Sequence, residues 1–312
     1  MFRAFLAHHL PQQGLTRPSR PFDRRLSRLR KLSFEAIGTS WQIHTPEQLP
    51  ANTLSELFSI IQAFDNKWSR FRSDSLVSER SRRIGNIPLD QDEYDMLHLY
   101  EQLYDVSKGA ITPLIGRTLE DMGYDARYSL RPKATIETAN SWQTQLVLHP
   151  EQLELKTPTL IDIGAGGKGL LVDRISRLLK IDTLDYSIDA GGDIFVGAAT
   201  ERIGLEHPQD HTRAIGVVTL EDQALCGSSS NRRTWSDNLH HIVDARDNTP
   251  VSRVIASWAV APSAMQADMA STALFFIAPA KVASIIQNCK SIVMYDDGKL
   301  QYAVSKEIEL YV

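Results

Sequence analysis

The chain has 312 residues, of which 42% are hydrophobic and 23% are charged, and its formal net charge is −4. This composition is typical of a soluble globular protein, and the negative charge excludes a generic nucleic-acid binder. No apolar run approaches the ~18 residues of a membrane-spanning helix. The two cysteines, Cys226 and Cys289, are too few for a disulfide framework or a cysteine metal cluster.

The N-terminal segment, residues 1–32, is strongly basic. A single acid, Asp23, faces Arg17, Arg20, Arg24, Arg25, Arg28, Arg30 and Lys31. We expect a flexible, solvated arm, or alternatively a segment that contacts anionic lipid, an acidic partner or a membrane-bound acceptor. The first residues lack the sustained apolar stretch and cleavage site of a secretory signal, and no lipobox is present, so a cytoplasmic location is expected. An organelle transit peptide is a minor alternative.

Residues 33–145 predict one strand followed by helices. The expected elements are a strand over 33–45 and helices over 54–71, 90–108 and 135–145. The strand contains Gly38, which predicts a close approach of another backbone. The helix over 90–108 has an acidic first turn, which favours its N-terminus, and Gly109 ends it.

From about residue 145 the pattern becomes rich in strands. Short strands are predicted at QLVLH, ELKTPTLIDI, TLDYSIDA, DIFVGAAT, RAIGVVTL, HHIVDAR, SWAVAP, SIVMYD and GKLQYAV. Helical patterns interrupt them at 167–180 and 267–288. The order indicates one α+β domain over 33–312, with mixed or antiparallel sheets and packed helices.

The stretch LIDIGAGGKGLLVD, residues 160–173, contains a possible nucleotide-binding turn. Gly164, Gly166 and Gly169 match G-x-G-x-x-G, and Asp189 follows about 20 residues later, as in dinucleotide-binding domains. A Rossmann fold also needs repeated βαβ units around a parallel sheet. Strands in hairpin-like order follow here instead, so the sequence disfavours a nicotinamide oxidoreductase.

Two charged residues give the same stretch a second interpretation. A helix that starts near Gly167 directs amide donors at a bound anion, and Lys168 adds a positive charge. A Walker A motif is excluded because Gly169 follows this lysine where Ser or Thr is required. Asp162, placed at the end of the preceding strand, would repel a phosphate unless a cation stands between them. The turn therefore predicts a phosphate site with a divalent metal, or a hydrogen bond to a ribose or base, nearby.

Two later stretches carry further candidate residues. SIDAGGDIFVGA (187–198) ends a strand in a glycine pair that Asp193 follows. LHHIVDARDNTP (239–250) presents the neighbours His240 and His241 on an extended segment. Because neighbours in a strand point to opposite faces, only one of the two histidines is expected to face a site.

APSAMQADMASTALFFIAP, residues 261–279, predicts a helix with three oxygen-bearing side chains. Asp268, Ser271 and Thr272 fall at i, i+3 and i+4, so their oxygens are expected on one face. Hard oxygen ligands suit Mg²⁺, which also binds pyrophosphate. Hydroxyls that bond back to the helix backbone are the alternative explanation of the same pattern.

Together and in this order, the motifs resemble the ApbE family of FAD:protein FMN transferases. The strongest blocks are IDIGAGGKGLLVD, DAGGDI, HHIVDAR and ADMASTALFFIAP. Weaker ones are EAIGTSW, WSRFRSDS and GAITPLIG. The resemblance runs from about Phe34 to about Pro279. It implies a T-fold-related α+β domain that binds FAD and Mg²⁺ and transfers FMN to a Thr or Ser hydroxyl of an acceptor flavoprotein, releasing AMP.

The resemblance also implies roles for individual residues. His241 would be the base that activates the acceptor hydroxyl. The FAD contacts would be Ile37, Phe71, Ala110, Ile111, Thr112, Asp162, Lys168 and Ile242. The metal ligands would be the carbonyl of Ala165 and the side chains of Asp268, Ser271 and Thr272.

The sequence departs from the family pattern at several positions. Ile37 stands where Met is usual, and Thr112 stands where an Asp is usual, which removes a carboxylate near the flavin. CGSSSN (226–231) is a loose version of a Thr-Ser-Gly segment, and DARDNTP lacks the usual Pro and Thr-Gly. A Mg²⁺-dependent FAD pyrophosphatase and a non-catalytic FAD-binding protein therefore stay open beside the transferase. The acceptor and the oligomeric state are not encoded in any of these motifs.

Overall fold

A computed structural model describes residues 29–231, 234–236 and 239–311. The expected basic arm lies mostly outside the described residues, at positions 1–28. The first strand begins at Arg30 and pairs with the strand that ends at Thr45. Residues 30–32, which the sequence assigned to the arm, therefore belong to the folded domain.

Strands outnumber helices in the described chain, most clearly after residue 145. In chain order they are β1 (Arg30–Ala36), β2 (Thr39–Thr45), β3 (Gly85–Pro88), β4 (Leu146–His149), β5 (Gln152–Leu155), β6 (Ser187–Ala190), β7 (Asp193–Val196), β8 (Glu201–His207), β9 (Asp210–Leu220), β10 (Gln223–Ser229), β11 (Thr234–Trp235), β12 (Leu239–His240), β13 (Val243–Asp244), β14 (Thr249–Pro250), β15 (Val254–Ala261), β16 (Lys290–Tyr295), β17 (Leu300–Tyr302) and β18 (Ile308–Leu310).

The helices of the described residues are α1 (Ala51–Trp68), α2 (Leu76–Arg80), α3 (Gln91–Ser107), α4 (Gly116–Asp121), α5 (Trp142–Gln145), α6 (Gly167–Asp182), α7 (Ala264–Ala273) and α8 (Pro279–Ile285). A 3₁₀ turn at Pro113–Ile115 precedes α4. The start of α3 is fixed by a capping box. The Asp90 carboxylate accepts the Glu93 N–H, and the Glu93 carboxylate accepts the Asp90 N–H, each at 3.0 Å. The predicted acidic start of this helix is confirmed.

An eight-stranded sheet with antiparallel neighbours organises the domain. Its order is β1-β2-β6-β7-β10-β15-β16-β17. Smaller sheets are formed by β18-β9-β8, by β3-β5-β4, and by the pairs β11-β12 and β13-β14. This mixture of helices and antiparallel sheets confirms the predicted α+β class and excludes the parallel sheet of a Rossmann domain.

Both faces of the large sheet are buried, and the alternation along its strands decides what covers each face. Leu225, Val260 and Ile292 pack against residues of β8 and β9. Their strand neighbours, such as Cys226 and Ala259, face the main core that includes α6 and α7. Small residues on this second face let the helices lie close to the sheet.

The closest contact between α6 and α7 depends on a glycine. A Cβ on Gly169 would lie 2.3 Å from the Ala264 carbonyl oxygen and 2.7 Å from the Met265 Cα. Real Cβ contacts are never this short, so only glycine fits at this crossing. The motif glycine therefore brings the start of α6 against the start of α7, which positions the candidate site.

Four local predictions were wrong. Residues 33–45 form a hairpin rather than one strand, because Ile37 (φ 42°) and Gly38 (φ 75°) turn the chain in the left-handed region. No close backbone approach occurs at that glycine, whose nearest neighbour would be the Tyr128 hydroxyl at 3.9 Å. Residues 160–163 run outside any strand. Within 135–145, only the four residues of α5 are helical.

Candidate active site

One pocket collects most of the residues that the sequence predicted for the site. It lies where the turn before α6, the helix α7, the end of β10 and the segment around β12 and β13 meet. Its lining residues are Tyr100, Ala110, Ile111, Thr112, Ile115, Leu119, Asp162, Gly164, Ala165, Lys168, Gly191, Gly227, Ser228, Ser229, His241, Ile242, Val243, Asp268, Thr272 and Phe276. Of the predicted set, Ile37, Phe71 and Ser271 do not line it.

Asp162 is held in the pocket wall by three hydrogen bonds. Its backbone N–H donates to the Pro113 carbonyl at 2.8 Å. One carboxylate oxygen accepts the Gly164 N–H at 2.7 Å, and the other accepts the Nε–H of Arg70 at 2.5 Å. The paired guanidinium offsets part of the negative charge that Asp162 would present to a phosphate, although it does not stand between the carboxylate and the pocket as the predicted cation would.

Arg70 is itself buried, with 4% of its surface exposed. Its Nη1 donates to the Tyr124 carbonyl at 2.7 Å, and its guanidinium lies 4.2 Å from the centre of the Phe71 ring. The motif WSRFRSDS contains this residue, but no role was predicted for it from the sequence. The available signal was a basic side chain inside a motif that the family resemblance assigns to the wall of the flavin pocket.

Phe71 lies behind the pocket rather than in its lining. The Arg70 guanidinium covers one part of the ring, and Tyr128 stacks on it at 5.3 Å with an interplanar angle of 5°. Phe71 also packs against a cluster that includes Leu119 and Val243, and these two residues do line the pocket. Ile37 sits at the tip of the first hairpin, half buried and outside the lining. Neither predicted wall residue therefore belongs to the lining, and Phe71 lies one layer behind it.

Lys168, the second residue of α6, lines the pocket and forms an ion pair with Asp193. The carboxylate stands at the start of β7 and is 1% exposed. The ion pair with a buried carboxylate fixes the direction of the lysine side chain. The glycine pair of the motif DAGGDI thus places an acid behind the lysine.

Tyr100 of α3 is a pocket residue that the sequence did not predict. Its side chain is 1% exposed, and its Oη accepts the N–H of Ala165 at 3.0 Å. Burial, helped by the negative charges of Asp162 and Asp268, raises the pKa of this phenol well above its ordinary value of 10. The hydroxyl therefore keeps its proton, and it fixes the residue whose carbonyl was predicted to bind metal.

The three oxygen-bearing residues of α7 do not share one environment. Asp268 and Thr272 line the pocket, and the aspartate accepts the Gly169 N–H at 3.0 Å. Ser271 is fully buried, its hydroxyl donates to the Asp268 carbonyl at 2.9 Å, and it lies 2.7 Å from the Ser228 hydroxyl. The expectation of three oxygens on one open face is wrong for this serine, which bonds back to the helix.

Ser228 of β10 takes part in the same cluster and lines the pocket. Its hydroxyl lies 2.7 Å from the Ser271 hydroxyl and 3.4 Å from that of Thr272. The sequence noted its segment only as a loose family match. Which way these hydroxyl groups point cannot be predicted from the sequence, because it depends on how β10 packs beside α7.

Asp173 ties α6 to the start of α7. Its two carboxylate oxygens accept the N–H groups of Ala264 at 2.7 Å and Met265 at 2.9 Å. Burial raises the pKa of this carboxyl to about 6, although the two hydrogen bonds act in the opposite direction. The contact fixes the helix that carries Asp268 and Thr272.

The structure separates the two adjacent histidines. His240 is buried, and its Nε2 lies 2.9 Å from the Val251 carbonyl while its Nδ1 accepts the Ile242 N–H at 3.2 Å. Burial lowers the pKa of this imidazole, so it is held in the neutral form. His241 lines the pocket. Only the second histidine therefore faces the pocket, in line with the alternation of side chains along an extended segment.

The segment Ala110 to Thr112 and Ile242 line the pocket as expected. Thr112, which stands in place of an acid, caps the 3₁₀ turn by accepting the Leu114 N–H at 3.2 Å. Its hydroxyl oxygen therefore serves the backbone, and the pocket has no carboxylate at this position.

The described residues lack both a cluster of metal-binding side chains and a helix able to span a membrane. No three His, Cys, Asp or Glu side chains within residues 29–231, 234–236 and 239–311 come together as a metal-binding group. The predicted magnesium ligands contain one carboxylate, so such a group is not expected from them. In the same part of the chain, every helix is too short or too polar to cross a membrane.

Comparison with known proteins relates this chain to a described family. Residues 37–295 match the model of the ApbE family. A relative from Treponema pallidum (strain Nichols), named FAD:protein FMN transferase, is 25% identical over 287 residues, which cover 80% of this chain and 79% of the relative. A protein of the same name from Escherichia coli (strain K12) is 22% identical over 331 residues, which cover 97% and 92%.

Solved structures show the same fold. An ApbE protein from Thermotoga maritima superposes with a TM-score of 0.74 at 20% identity, covering 88% of this chain and 97% of its own. The flavin transferase ApbE from Vibrio cholerae gives a TM-score of 0.70 at 17% identity, with coverage of 89% and 97%. At these identities the likeness concerns the fold.

Proposed function

This chain belongs to the ApbE family, and we propose from its pocket that it transfers the FMN part of FAD to a Thr or Ser hydroxyl of an acceptor protein, with release of AMP. One observation carries the proposal beyond the family. Apart from Ile37, Phe71 and Ser271, the residues predicted for this chemistry line a single pocket. They come from distant parts of the sequence, so only the fold brings them together.

The proposed reaction breaks one bond of the FAD diphosphate and forms one bond to the acceptor. The hydroxyl oxygen attacks the phosphorus of the FMN half, and the bond between that phosphorus and the AMP phosphate oxygen breaks. The hydroxyl proton passes to His241, because an imidazole is the side chain suited to take a proton near neutral pH. AMP leaves with the electron pair of the broken bond.

His241 is the better candidate for this base because its neighbour is already occupied. Both ring nitrogens of His240 face backbone groups, the Val251 carbonyl and the Ile242 N–H. A ring used in this way has no lone pair for an acceptor hydroxyl. The same two bonds hold the chain on which His241 is presented.

The charges around the pocket agree with a requirement for a divalent cation. Asp162, Asp193 and Asp268 are acids, and Lys168 and Arg70 are bases, so this group carries about −1 at neutral pH. A dinucleotide diphosphate brings further negative charge. Mg²⁺, when bound, would neutralise this charge. Asp268, Thr272 and the Ala165 carbonyl, all in the lining, are the residues that would hold it. Ser271 does not fit as a ligand because its hydroxyl serves the helix and Ser228.

The apolar part of the lining suits a flavin ring. Ile111, Ile115, Leu119, Ile242 and Phe276 supply hydrophobic surface beside the polar groups. We place the flavin against these residues. In this proposal Phe71 supports the wall from behind, and Ile37, outside the lining, does not contact the ring.

The test is a transfer assay on the full chain with three components. The protein is incubated with FAD, Mg²⁺ and a candidate acceptor flavoprotein, and the acceptor is weighed by mass spectrometry. The expected result is a mass increase of one FMN on a Thr or Ser peptide, lost when a chelator replaces Mg²⁺. Release of free FMN and AMP without labelling would favour the pyrophosphatase. Retention of intact FAD with neither product would favour a binding protein.

A further inference from the structure

Tyr100 links the helical core to the pocket through its hydroxyl group. Helix α3 carries the ring among buried neighbours such as Met96 and Leu103. Its Oη reaches the turn before α6, where it accepts the Ala165 N–H at 3.0 Å. The residue is 1% exposed and still forms part of the pocket lining. The proposed reaction gives this hydroxyl no role.

The hydroxyl of Tyr100 is both an acceptor and a donor. The bond from Ala165 uses a lone pair of the oxygen, so the O–H proton is still available for donation in another direction. A phenol with an ordinary pKa near 10 keeps that proton at neutral pH. Donation from a buried hydroxyl is strongest to a charged oxygen, because little water competes and the local dielectric is low.

The pocket has a use for such a neutral donor. Lys168 is the lining cation, and its charge is shared with the buried carboxylate of Asp193. Arg70 sits behind the wall and is paired with Asp162. A diphosphate has several anionic oxygens, so groups that donate without adding to these ion pairs are needed to bind it.

We propose that the Tyr100 hydroxyl is a ligand-binding group of the pocket, which donates its proton to an anionic oxygen of the bound dinucleotide while its oxygen holds the Ala165 N–H. The inference rests on the proposed function, because it takes the diphosphate of FAD as the anionic ligand. It adds a contact from α3, an element to which neither the motifs nor the family resemblance assigned a site residue.

The same helix offers a matched control. Tyr104 lies one turn further along α3, and its Oη also accepts a backbone N–H, that of Trp142 at 3.2 Å. Tyr104 is not a lining residue of the pocket. Tyr100→Phe and Tyr104→Phe therefore each remove one hydroxyl that accepts one backbone amide, but only the first change removes a donor from the pocket.

The experiment measures the affinity of full-length wild type and both variants for FAD and for riboflavin, at fixed Mg²⁺, by flavin fluorescence. Riboflavin lacks the phosphates. A charge-assisted hydrogen bond is typically equivalent to about a 10- to 100-fold change in affinity. Tyr100→Phe should lose FAD affinity by about this factor and keep riboflavin affinity. Tyr104→Phe should change neither, although both variants lower the melting temperature.

Each other outcome has a defined meaning. If wild type does not bind FAD, the proposed function fails before the inference is tested through the variants. If wild type binds FAD and Tyr100→Phe binds it equally well, the hydroxyl is only structural and the inference is overturned. An equal loss of FAD and riboflavin affinity also overturns it, because the pocket has then been distorted.

A second pair of variants covers the case in which Tyr100→Phe does not fold. Tyr100→Gln keeps a donor and an acceptor on a shorter side chain, whereas Tyr100→Met has about the same length as the glutamine and has neither group. The inference expects a higher ratio of FAD affinity to riboflavin affinity in the glutamine variant. Equal ratios in the two variants would overturn it.

Discussion

Replacing Arg70 by methionine should destabilise the fold through the charge that it leaves behind. Arg70 is 4% exposed, and the Asp162 side chain with which it pairs is 14% exposed. Removing one partner of a buried ion pair typically costs about 3–5 kcal/mol, because the other charge stays buried without compensation. At ~2–3 °C per kcal/mol for a domain of this size, the melting temperature should fall by about 6–15 °C.

The assay is urea unfolding followed by circular dichroism, with Arg72→Met as the matched control. Arg72 lies two residues further along and pairs with Asp65 and Asp74, but its side chain is 22% exposed and its pair with Asp74 lies in solvent. Exposed pairs are screened by water and salt. Arg72→Met should therefore change the free energy of unfolding far less than Arg70→Met.

A double-mutant cycle separates the unpaired charge from lost packing. Asp162→Asn removes the carboxylate charge, so the combination of Arg70→Met with Asp162→Asn should be more stable than Arg70→Met alone. The reasoning would be refuted if Arg70→Met unfolds at the same urea concentration as Arg72→Met. It would also be refuted if Asp162→Asn made Arg70→Met less stable, since the remaining effect would then come from the lost bond to the Tyr124 carbonyl and the Phe71 contact.

Three further changes test other parts of the site. His241→Ala should lower FMN transfer by about 10²–10⁴-fold with FAD affinity nearly unchanged, as expected for loss of a general base. His240→Ala should mainly lower the melting temperature. Transfer activity, FAD fluorescence and thermal melts of both variants test this. The pKa of Asp173 is raised to about 6 in the folded state from an ordinary 3.8. The folded protein thus holds this proton more tightly than the unfolded chain does. The stability that the protonated carboxyl contributes is fully present below about pH 4 and is lost as the pH rises through about 6. The free energy of unfolding of Asp173→Asn, measured across this range, should not show this loss. Gly169→Ala should lower stability, because its Cβ would meet the backbone of Ala264 at 2.3 Å; Gly204→Ala, with nothing within 4 Å, is the control in the same thermal melt.

Long periodic elements and the order of the motifs were predictable from the sequence. The helix expected over 90–108 is found at Gln91–Ser107, and the one expected over 167–180 begins at Gly167. Both have local signals, a capping box in the first case and a glycine turn in the second. The hairpin at Ile37 was not predicted, because a β-branched residue with positive φ is an uncommon choice for a tight turn.

Contacts between distant segments were beyond the sequence. The pairing of Arg70 with Asp162 was not predicted, because 92 positions separate the two residues. Tyr100 lies in the helix predicted over 90–108, and nothing in its local sequence indicates that its hydroxyl reaches Ala165. Ser271 lies on a helix as its spacing predicted, but spacing alone does not show that its hydroxyl is buried against β10 and not exposed to the pocket.

Two proposed reactive residues, His241 and Asp268, depend on buried side chains that hold backbone amides, and this decides how mutations in the pocket are interpreted. His240 accepts the Ile242 N–H, and Asp173 accepts two N–H groups at the start of the helix that carries Asp268. A change in a supporting residue moves the backbone and should lower stability together with affinity. A change in a lining side chain removes one interaction and should alter binding or rate at nearly constant stability. Stability must therefore be measured on every variant before a loss of transfer is assigned to chemistry.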